Sequence, residues 1–493
     1  MSSYTTSANA LPFTTYFKKA PGYPAATYLQ LKSCLALLLV FWINCVSAQQ
    51  QKASYWLTTA DRVNLFTQQP QALLFVSRPN KLHTITIDAS QRFQTMDGFG
   101  FALTGGSAGH LINMSKASRT ALLQELFGTG NNDIGISYLR LSIGASDLNE
   151  KVFSYNDLPK GQTDETLQHF DLGPDKQDVI PIMKEILAIA PGIKILGSPW
   201  SPPAWMKTIY DARGGRLQSR FFPAYARYFV KYLQAMAAEG IRIDAITVQN
   251  EPLHPGNNPS LLMPAPDQAE FIRDHLGPAL LKARLHTKII IYDHNADRPD
   301  YPIDILNDKA ARKFIDGSGF HLYGGDMKAL TDVHNAHPDK HLYFTEQMVV
   351  EKPGFPKIRI SDPVSRLMIG APLHWTKNVL LWNLAADSDN KPFTNRGGCG
   401  SCQGAVTIDG DSVGRNLAYY VMAHSSKLVR PGSVRIFSGG TNAIAHVAYA
   451  APNGQVVLVV ANNGEKDQDV NISYKGKLAT AHLPKGAVAT YTW

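Results

Sequence analysis

Beyond residue 95 the chain alternates between short apolar runs and longer amphipathic stretches. The runs are Gly98–Thr104, Ser137–Ile143, Ile193–Ser198, Ala245–Gln249, Lys288–Asp293, Gly319–Tyr323, Leu342–Thr345 and Asn378–Asn383. They have the length and the β-branched and aromatic content of buried strands. Between them Arg119–Leu126, Asp178–Ala190, Ala224–Glu239, Asp267–Leu285 and Asp304–Ile315 repeat their apolar positions at helical spacing. Eight strand–helix repeats predict an α/β fold over residues 96–427, a (β/α)8 TIM barrel. A doubly wound dinucleotide sheet is the alternative, but the glycine cluster Thr104–Gly109 lacks the G-x-G-x-x-G spacing.

After Lys427 the pattern changes to short alternating runs: Ser433–Phe437, Ala443–Tyr449, Gln455–Val460, Val470–Tyr474 and Val488–Trp493. Gly, Asn, Asp and Pro separate them, which predicts an antiparallel β-sandwich over 428–493. Residues 49–95 contain similar strands, such as Leu82–Asp88, and are expected to add to the same sandwich. The first 48 residues read as a signal peptide. Lys32 precedes the apolar run Cys34–Ile43, and Val46-Ser-Ala48 supplies small residues at the cleavage point. The mature chain is therefore expected to be secreted or periplasmic, with no stable membrane span.

Charge changes this picture little. The net charge is +8, and the leader carries three lysines and no acid, so the remainder stands at +5. No Lys/Arg run of the kind that follows phosphates is present, so no nucleic-acid partner is expected. Only Cys399 and Cys402 remain beyond the leader. A zinc site would need two further ligands, and a redox pair would open a helix instead of lying in a Gly-rich loop. A local disulfide that stiffens the loop is the simplest reading in an exported protein.

In a barrel the C-terminal strand ends share one mouth. Arg140 lies within the second strand and Asp147 follows it. The third strand runs into Trp200 and Trp205, and the fourth into Asn250 and Glu251. Asp293, His294 and Asn295 close the fifth, His321 and Tyr323 the sixth, Glu346 the seventh, and Trp382 and Asn383 the eighth. Indole faces stack on sugar rings while carboxylates and amides take hydroxyls, so the set describes a sugar site. Glu251 and Glu346 supply the acid and the second carboxylate that glycosidic cleavage requires. Each residue also has a structural reading: Trp200 and Trp205 as core, Asp147 as a helix cap, Arg140 as a buried partner that depresses a carboxylate. A metal-dependent hydrolase using His294 and His321, and an inactive carbohydrate-binding barrel, are the competing functions. His334, His337 and His341 have metal-like spacing but flank a helix end away from the mouth, and Asp387 and Asp389 lack a twelve-residue calcium loop. No metal or cofactor is expected. Asn113 and Asn471 lie in N-glycosylation sequons.

From about Met96 to Trp493 the chain resembles glycoside hydrolase family 30, which includes glucosylceramidases and endo-β-1,6-glucanases. The resemblance rests on Asp97–Thr104, Leu139–Ser142 with Asp147, Ser198–Lys207, Gln249–Pro252, Thr345-Glu346 and Trp382–Ala385. It implies a retaining hydrolase of β-D-glucosidic bonds, acting by double displacement through a covalent glucosyl-enzyme. Glu346 would be the nucleophile and Glu251 the acid/base, with Asp147, Trp200, Asn250 and Trp382 around the sugar and Arg140 behind the nucleophile. The substrate would be a β-glucoside, β-glucan or glucosylceramide, with β-xylan as the alternative within the family. Leu322-Tyr323 stands where the mammalian-type glucosylceramidases have Trp-Tyr, which points away from ceramide. A retaining pair should hold its carboxyls about 5–5.5 Å apart.

Overall fold

The structure is a computed structural model that describes Tyr16, residues 51–351 and residues 357–493. Apart from Tyr16, the leader expected at 1–48 lies outside the described residues. Eight parallel strands close into a barrel. In chain order they are Gly98–Leu103, Tyr138–Ser142, Lys194–Ser198, Ala245–Thr247, Lys288–Ala296, Ile315–Gly325, His341–Glu346 and Thr376–Leu381, the first to eighth barrel strands below. The eighth pairs with the first from Asn378–Gly98 to Leu381–Phe101, which leaves no free edge.

The lumen is built in layers two residues apart, because side chains alternate across a strand. Tyr138, Leu196, Ala245, Ile290, Tyr343 and Leu380 pack together as an apolar plug. Two residues further on come Arg140, Ser198, Thr247, Thr345 and Trp382. A polar layer thus sits immediately above the plug, at the C-terminal ends of the strands; on strand five, where Tyr292 joins the main core, Asp293 takes this place from a left-handed backbone. Outward-facing residues such as Leu139, Leu141, Ile195, Ile246 and Phe344 join the helices in the main core.

The helices follow the expected periodicity with two corrections. Asp304–Ile315 is not one helix. Asp308 leaves helical geometry (ψ 99°) and its carboxylate accepts from the backbone N–H of Ala310 and Ala311, so it caps a new helix Lys309–Arg312. The stretch from Ala265 to Lys282 stays helical but widens into a π segment at Phe271–Leu276, next to Pro278, which lacks the N–H that an α-helix would use there.

The second sheet has ten strands and draws on both ends of the chain. Lys52–Thr58 pairs antiparallel with Val488–Thr492. His83–Thr95 lies between Val434–Gly439, antiparallel, and Gln468–Tyr474, parallel. One ladder is thus parallel where alternation alone suggested an antiparallel sheet throughout. Val456–Ala461 is buried at every position: Val457, Val459 and Ala461 join the core shared with the barrel, while Val456, Leu458 and Val460 fill the sheet's own core. Asn471 is buried and bonded to Asn80 and Thr480, so its sequon is closed to a glycan in the folded chain. Asn113 is exposed. Among the described residues no helix is long and apolar enough to cross a membrane.

Helix Leu417–Ser426 fastens this sheet through the buried His424. The Thr490 hydroxyl donates to the His424 carbonyl, leaving its oxygen to accept from Nδ1 at 2.9 Å. Thr58 donates to Nε2 at 2.8 Å. The network therefore assigns a neutral ring, and burial pushes its pKa down to about 3. In the unfolded chain the ring titrates near 6.5, so its contribution is complete above that pH and falls away as pH drops from about 6.5 toward 3. His424→Leu should lower stability by about 2 kcal/mol at pH 7 and flatten that acid decline, as read by thermal melts between pH 4 and 8.

A candidate active site at the barrel mouth

Arg140 is the centre of the polar layer. It is 1 % exposed and cannot lose its charge. Its Nη1 donates to Glu346 Oε2 at 2.5 Å, and its Nη2 donates to Asn250 Oδ1 at 2.7 Å, Asp293 Oδ2 at 2.8 Å and Ser198 Oγ at 3.2 Å. Trp200 covers one side with its ring 4.7 Å from the guanidinium carbon, and Trp382 lies 5.3 Å from Trp200, centroid to centroid. The ion pairs to Asp293 and Glu346 hold the guanidinium's pKa up against burial. Asp293 is completely buried, and burial alone would raise its pKa. Arg140, His321 and the Thr345 hydroxyl together hold it far below the usual carboxylate range.

Two strand ends reach the site in strained backbone. Glu251 (φ 44°) and Asp293 (φ 62°) both occupy the left-handed region, and the Glu251 N–H donates to the Asp293 carbonyl at 3.0 Å. Such residues cost of order 1–3 kcal/mol and persist where the surroundings fix them. The ladder between strands six and seven shifts register after Phe320, so that His321 comes opposite Glu346. Bulges of this kind re-aim side chains at barrel rims.

His321 is fully buried among three carboxylates. Its Nε2 lies 3.1 Å from Asp293 Oδ1, and its Nδ1 lies 3.3 Å from Glu251 Oε1 and 3.9 Å from Glu346 Oε1. Both nitrogens face acceptors, so both carry protons. Burial opposes that charge, but Glu346, Asp293 and Glu251 outweigh it and raise the pKa to about 9. The folded state thus gains stability from this proton below about pH 6.5 and loses it as pH rises through about 9.

Glu346 is raised by burial and by Glu251, against the pull of His321 and Arg140. Glu251 is brought down by the hydrogen bond and charge of His321, its own burial notwithstanding. The groups titrate together. Arg140 can only donate, and the Tyr323 oxygen already accepts from the Met348 N–H, so that its hydroxyl donates to Glu346 Oε1 at 3.0 Å; Glu346 is held as the anion. The mobile proton of the cluster lies in the His321–Glu251 pair. Asn257 donates to the other Glu251 oxygen at 3.1 Å.

A cavity of about 260 Å³ opens over these groups, lined by Asp147, Glu251, His294, Tyr323, Glu346, Met348, Trp382 and the two cysteines. Asp147 is buried with one carboxylate oxygen unbonded, and burial followed by the charges of Glu346 and Glu251 pushes its pKa well up. Arg140, Trp200, Asn250 and His321 lie behind the lining. Trp205 is elsewhere: its Nε1 donates to Asn156 and its ring packs on Phe221 in the core. Cys399 and Cys402 are joined as a disulfide, and Cys402 packs with Trp200 and Trp382. That disulfide lies in the long loop 387–404 after strand eight, which crosses the mouth. The Thr394 N–H donates to the Asp147 carbonyl at 2.9 Å, Asn258 Nδ2 donates to the Asn395 carbonyl at 2.8 Å, and Arg396 pairs with Asp211 at 3.0 Å. Gly397 (φ +139°) passes so near the next loop that a Cβ there would lie 2.5 Å from the Gly256 carbonyl oxygen.

Glu251, His321 and Glu346 also bring three ligand-type atoms within 4.8 Å of one another. Both His321 nitrogens already face carboxylates, and Arg140 neutralises Glu346, so the set is committed to hydrogen bonds. His334 stacks on Trp375 and His337 bonds Asn307 and Arg312, both away from the mouth. Asp387 accepts from the backbone of Asp389 and Lys391 in a turn. Ser198, Thr345, Asn257 and Met348 are the site members that the chain pattern did not single out. Asp293 stood in the strand-end set, but its place between Arg140 and His321 had no signal in the chain.

A closed βα-barrel with a sandwich alongside it and paired glutamates under an indole defines a glycoside hydrolase. Residues 96–362 match the glycosyl hydrolase family 30 TIM-barrel domain and residues 432–491 match its beta sandwich domain, and the chain belongs to that family. It is 34 % identical over 479 residues to the endo-1,6-beta-D-glucanase of Neurospora crassa, covering 92 % of this chain and 98 % of that one. It is 29 % identical over 434 residues to the lysosomal acid glucosylceramidase of Mus musculus, covering 83 % of each. Among solved structures it is similar to an endo-beta1,6-glucanase, with 35 % identity and a TM-score of 0.82 over 90 % of this chain and 99 % of that one.

Arg140→Met should remove the permanent cation that pairs with these carboxylates. Stranding Asp293 and Glu346 should cost about 3–5 kcal/mol, read as a large drop in melting temperature, with hydrolysis abolished in whatever fraction stays folded.

Proposed function

We propose that the protein hydrolyses β-D-glucosidic bonds with retention, and that its natural substrate is a β-1,6-linked glucan. The observation that carries the mechanism is that a Glu251 carboxylate oxygen and a Glu346 carboxylate oxygen lie within 4.8 Å of each other. So close an approach of oxygens supports direct attack by one carboxylate on the sugar, whereas inverting enzymes hold their carboxyl groups roughly 6.5–9.5 Å apart to admit a water. Glu346, held as the anion, attacks C1 and forms an ester. The C1–O1 bond breaks, and the leaving oxygen takes the proton of the His321–Glu251 pair through the Glu251 carboxylate, to which His321 Nδ1 passes it. Esterification then cancels the Glu346 charge, which lowers the pKa of Glu251 and suits it to remove a proton from water. The water oxygen replaces Glu346 at C1, and its proton returns to Glu251. Asp147, with its free oxygen, accepts a sugar hydroxyl, and Trp382 offers a face to the ring.

The relatives favour this substrate. The two β-1,6-glucanases named above share 34 % and 35 % identity with this chain over nearly all of it, against 29 % for the ceramide-releasing one. We also infer export. The disulfide suits an oxidising compartment, and the apolar run in the leader would direct the chain there. Recovery of a mature N-terminus near residue 49 from outside the cytoplasm tests it, and an uncleaved intracellular chain would refute it.

Glu346→Gln should form no glycosyl-enzyme, and a fluorinated glucoside should label Glu346 in the wild type. A label on another residue would overturn the assignment. Glu251→Ala should lose about 10²–10⁴-fold on glucan but far less on an aryl glucoside with a good leaving group, and azide should restore the second step. Product analysis on β-1,6-glucan, glucosylceramide and β-1,4-xylan should find turnover greatest on the first.

A further inference from the structure

The loop 387–404 divides the barrel mouth into two cavities. The catalytic one, at about 260 Å³, is below the usual range of ligand pockets, roughly 300–1,000 Å³, and suits one sugar unit. The other is larger, about 590 Å³, and lies under the same loop against the loops that follow strands two, three and four. Two aromatic rings edge it, Tyr210 (39 % exposed) and Phe393 (37 % exposed). Polar groups of both signs stand beside them: Glu150, Lys151, and the Asp211–Arg396 pair.

The rings are held in place. The Tyr210 hydroxyl donates to the Leu158 carbonyl. Phe393 lies against Gly400, where an added Cβ would be 3.4 Å from the ring, and Gly400 is enclosed by the Cys399–Cys402 disulfide. The two cavities abut. Asn257 lines the first and Asn258 the second, and consecutive Cα atoms are about 3.8 Å apart. Asp147 and Glu150 make the same link on the strand-two side.

We propose that the Tyr210–Phe393 cavity is a second sugar-binding site, which holds further glucosyl units of the β-linked glucan whose cleaved residue occupies the catalytic pocket. Fixed, half-exposed rings give stacking surface for the C–H faces of sugars at little entropic cost. Asp211, Arg396 and Glu150 offer acceptors and donors to hydroxyls. The disulfide then acts on polymer binding by seating Phe393. This inference rests on the glucan-hydrolase reading above.

The test is the double variant Tyr210→Ala/Phe393→Ala, assayed on soluble β-1,6-glucan and on an aryl β-D-glucoside. KM for the polymer should rise about tenfold with the loss of two ring contacts, while kcat/KM for the aryl glucoside stays within about twofold. Gel retardation of Glu346→Gln by immobilised β-1,6-glucan should weaken to match when the two aromatic substitutions are added. An unchanged polymer KM and retardation would overturn the second site. So would an equal loss on both substrates, which marks a merely structural role. Wild type that turns over neither substrate would instead defeat the functional reading, and the retardation assay would still judge the cavity.

Discussion

The site depends on one buried guanidinium. Among the described residues Arg140 is the only permanently charged cation that touches the carboxylates of the polar layer, and its N–H groups fix the Glu346, Asp293 and Asn250 oxygens. Buried carboxylates would otherwise take up protons, since burial favours the neutral form. With Arg140 in place Asp293 stays ionised, and an ionised Asp293 in turn gives His321 a reason to remain charged. The charge state of Glu251 then follows from that of His321. The order of dependence runs outward from Arg140 to the cavity.

The barrel supplies the geometry for this at low cost. Its apolar plug and polar layer are the same strands read at positions two residues apart, so the residue that fills the lumen also sets where the chemistry sits. Tyr138 places Arg140, Leu196 places Ser198, and Tyr343 places Thr345. The departures that aim side chains into the site, at Glu251, Asp293 and the Phe320/His321 bulge, lie at the rim. The apolar plug below holds these irregular ends above it.

Eight strand ends, and the two glutamates on the fourth and seventh, were legible because burial on both faces leaves continuous apolar runs that stop at polar residues. The parallel pairing of His83–Thr95 with Gln468–Tyr474 was not legible, since alternation reports which face is buried and says nothing of the partner's direction. Asp308 was passed over because a cap in mid-pattern looks like one more polar position. The site was legible as a set of residue types and much less as a set of contacts. Trp200 and Trp205 look alike in the chain, yet one shields Arg140 and the other is pinned to Asn156 in the core. The crossing of loop 387–404 left no trace beyond its glycines and cysteines, because periodicity carries no information where there is no regular structure.

The first described strand, Lys52–Thr58, pairs with the last, Val488–Thr492, and His83–Thr95 waits for partners more than 300 residues downstream. During synthesis these early segments leave the ribosome with no sheet to join, while the barrel between them can already close. Contacts of such sequence separation form slowly, so the N-terminal strands spend that interval as open edges able to pair with other chains. The sheet is completed only once Val488–Thr492 has been made. Loss of that one strand would expose the edges of Lys52–Thr58 and Val456–Ala461 together, two hydrogen-bonding rows opened by a single deletion.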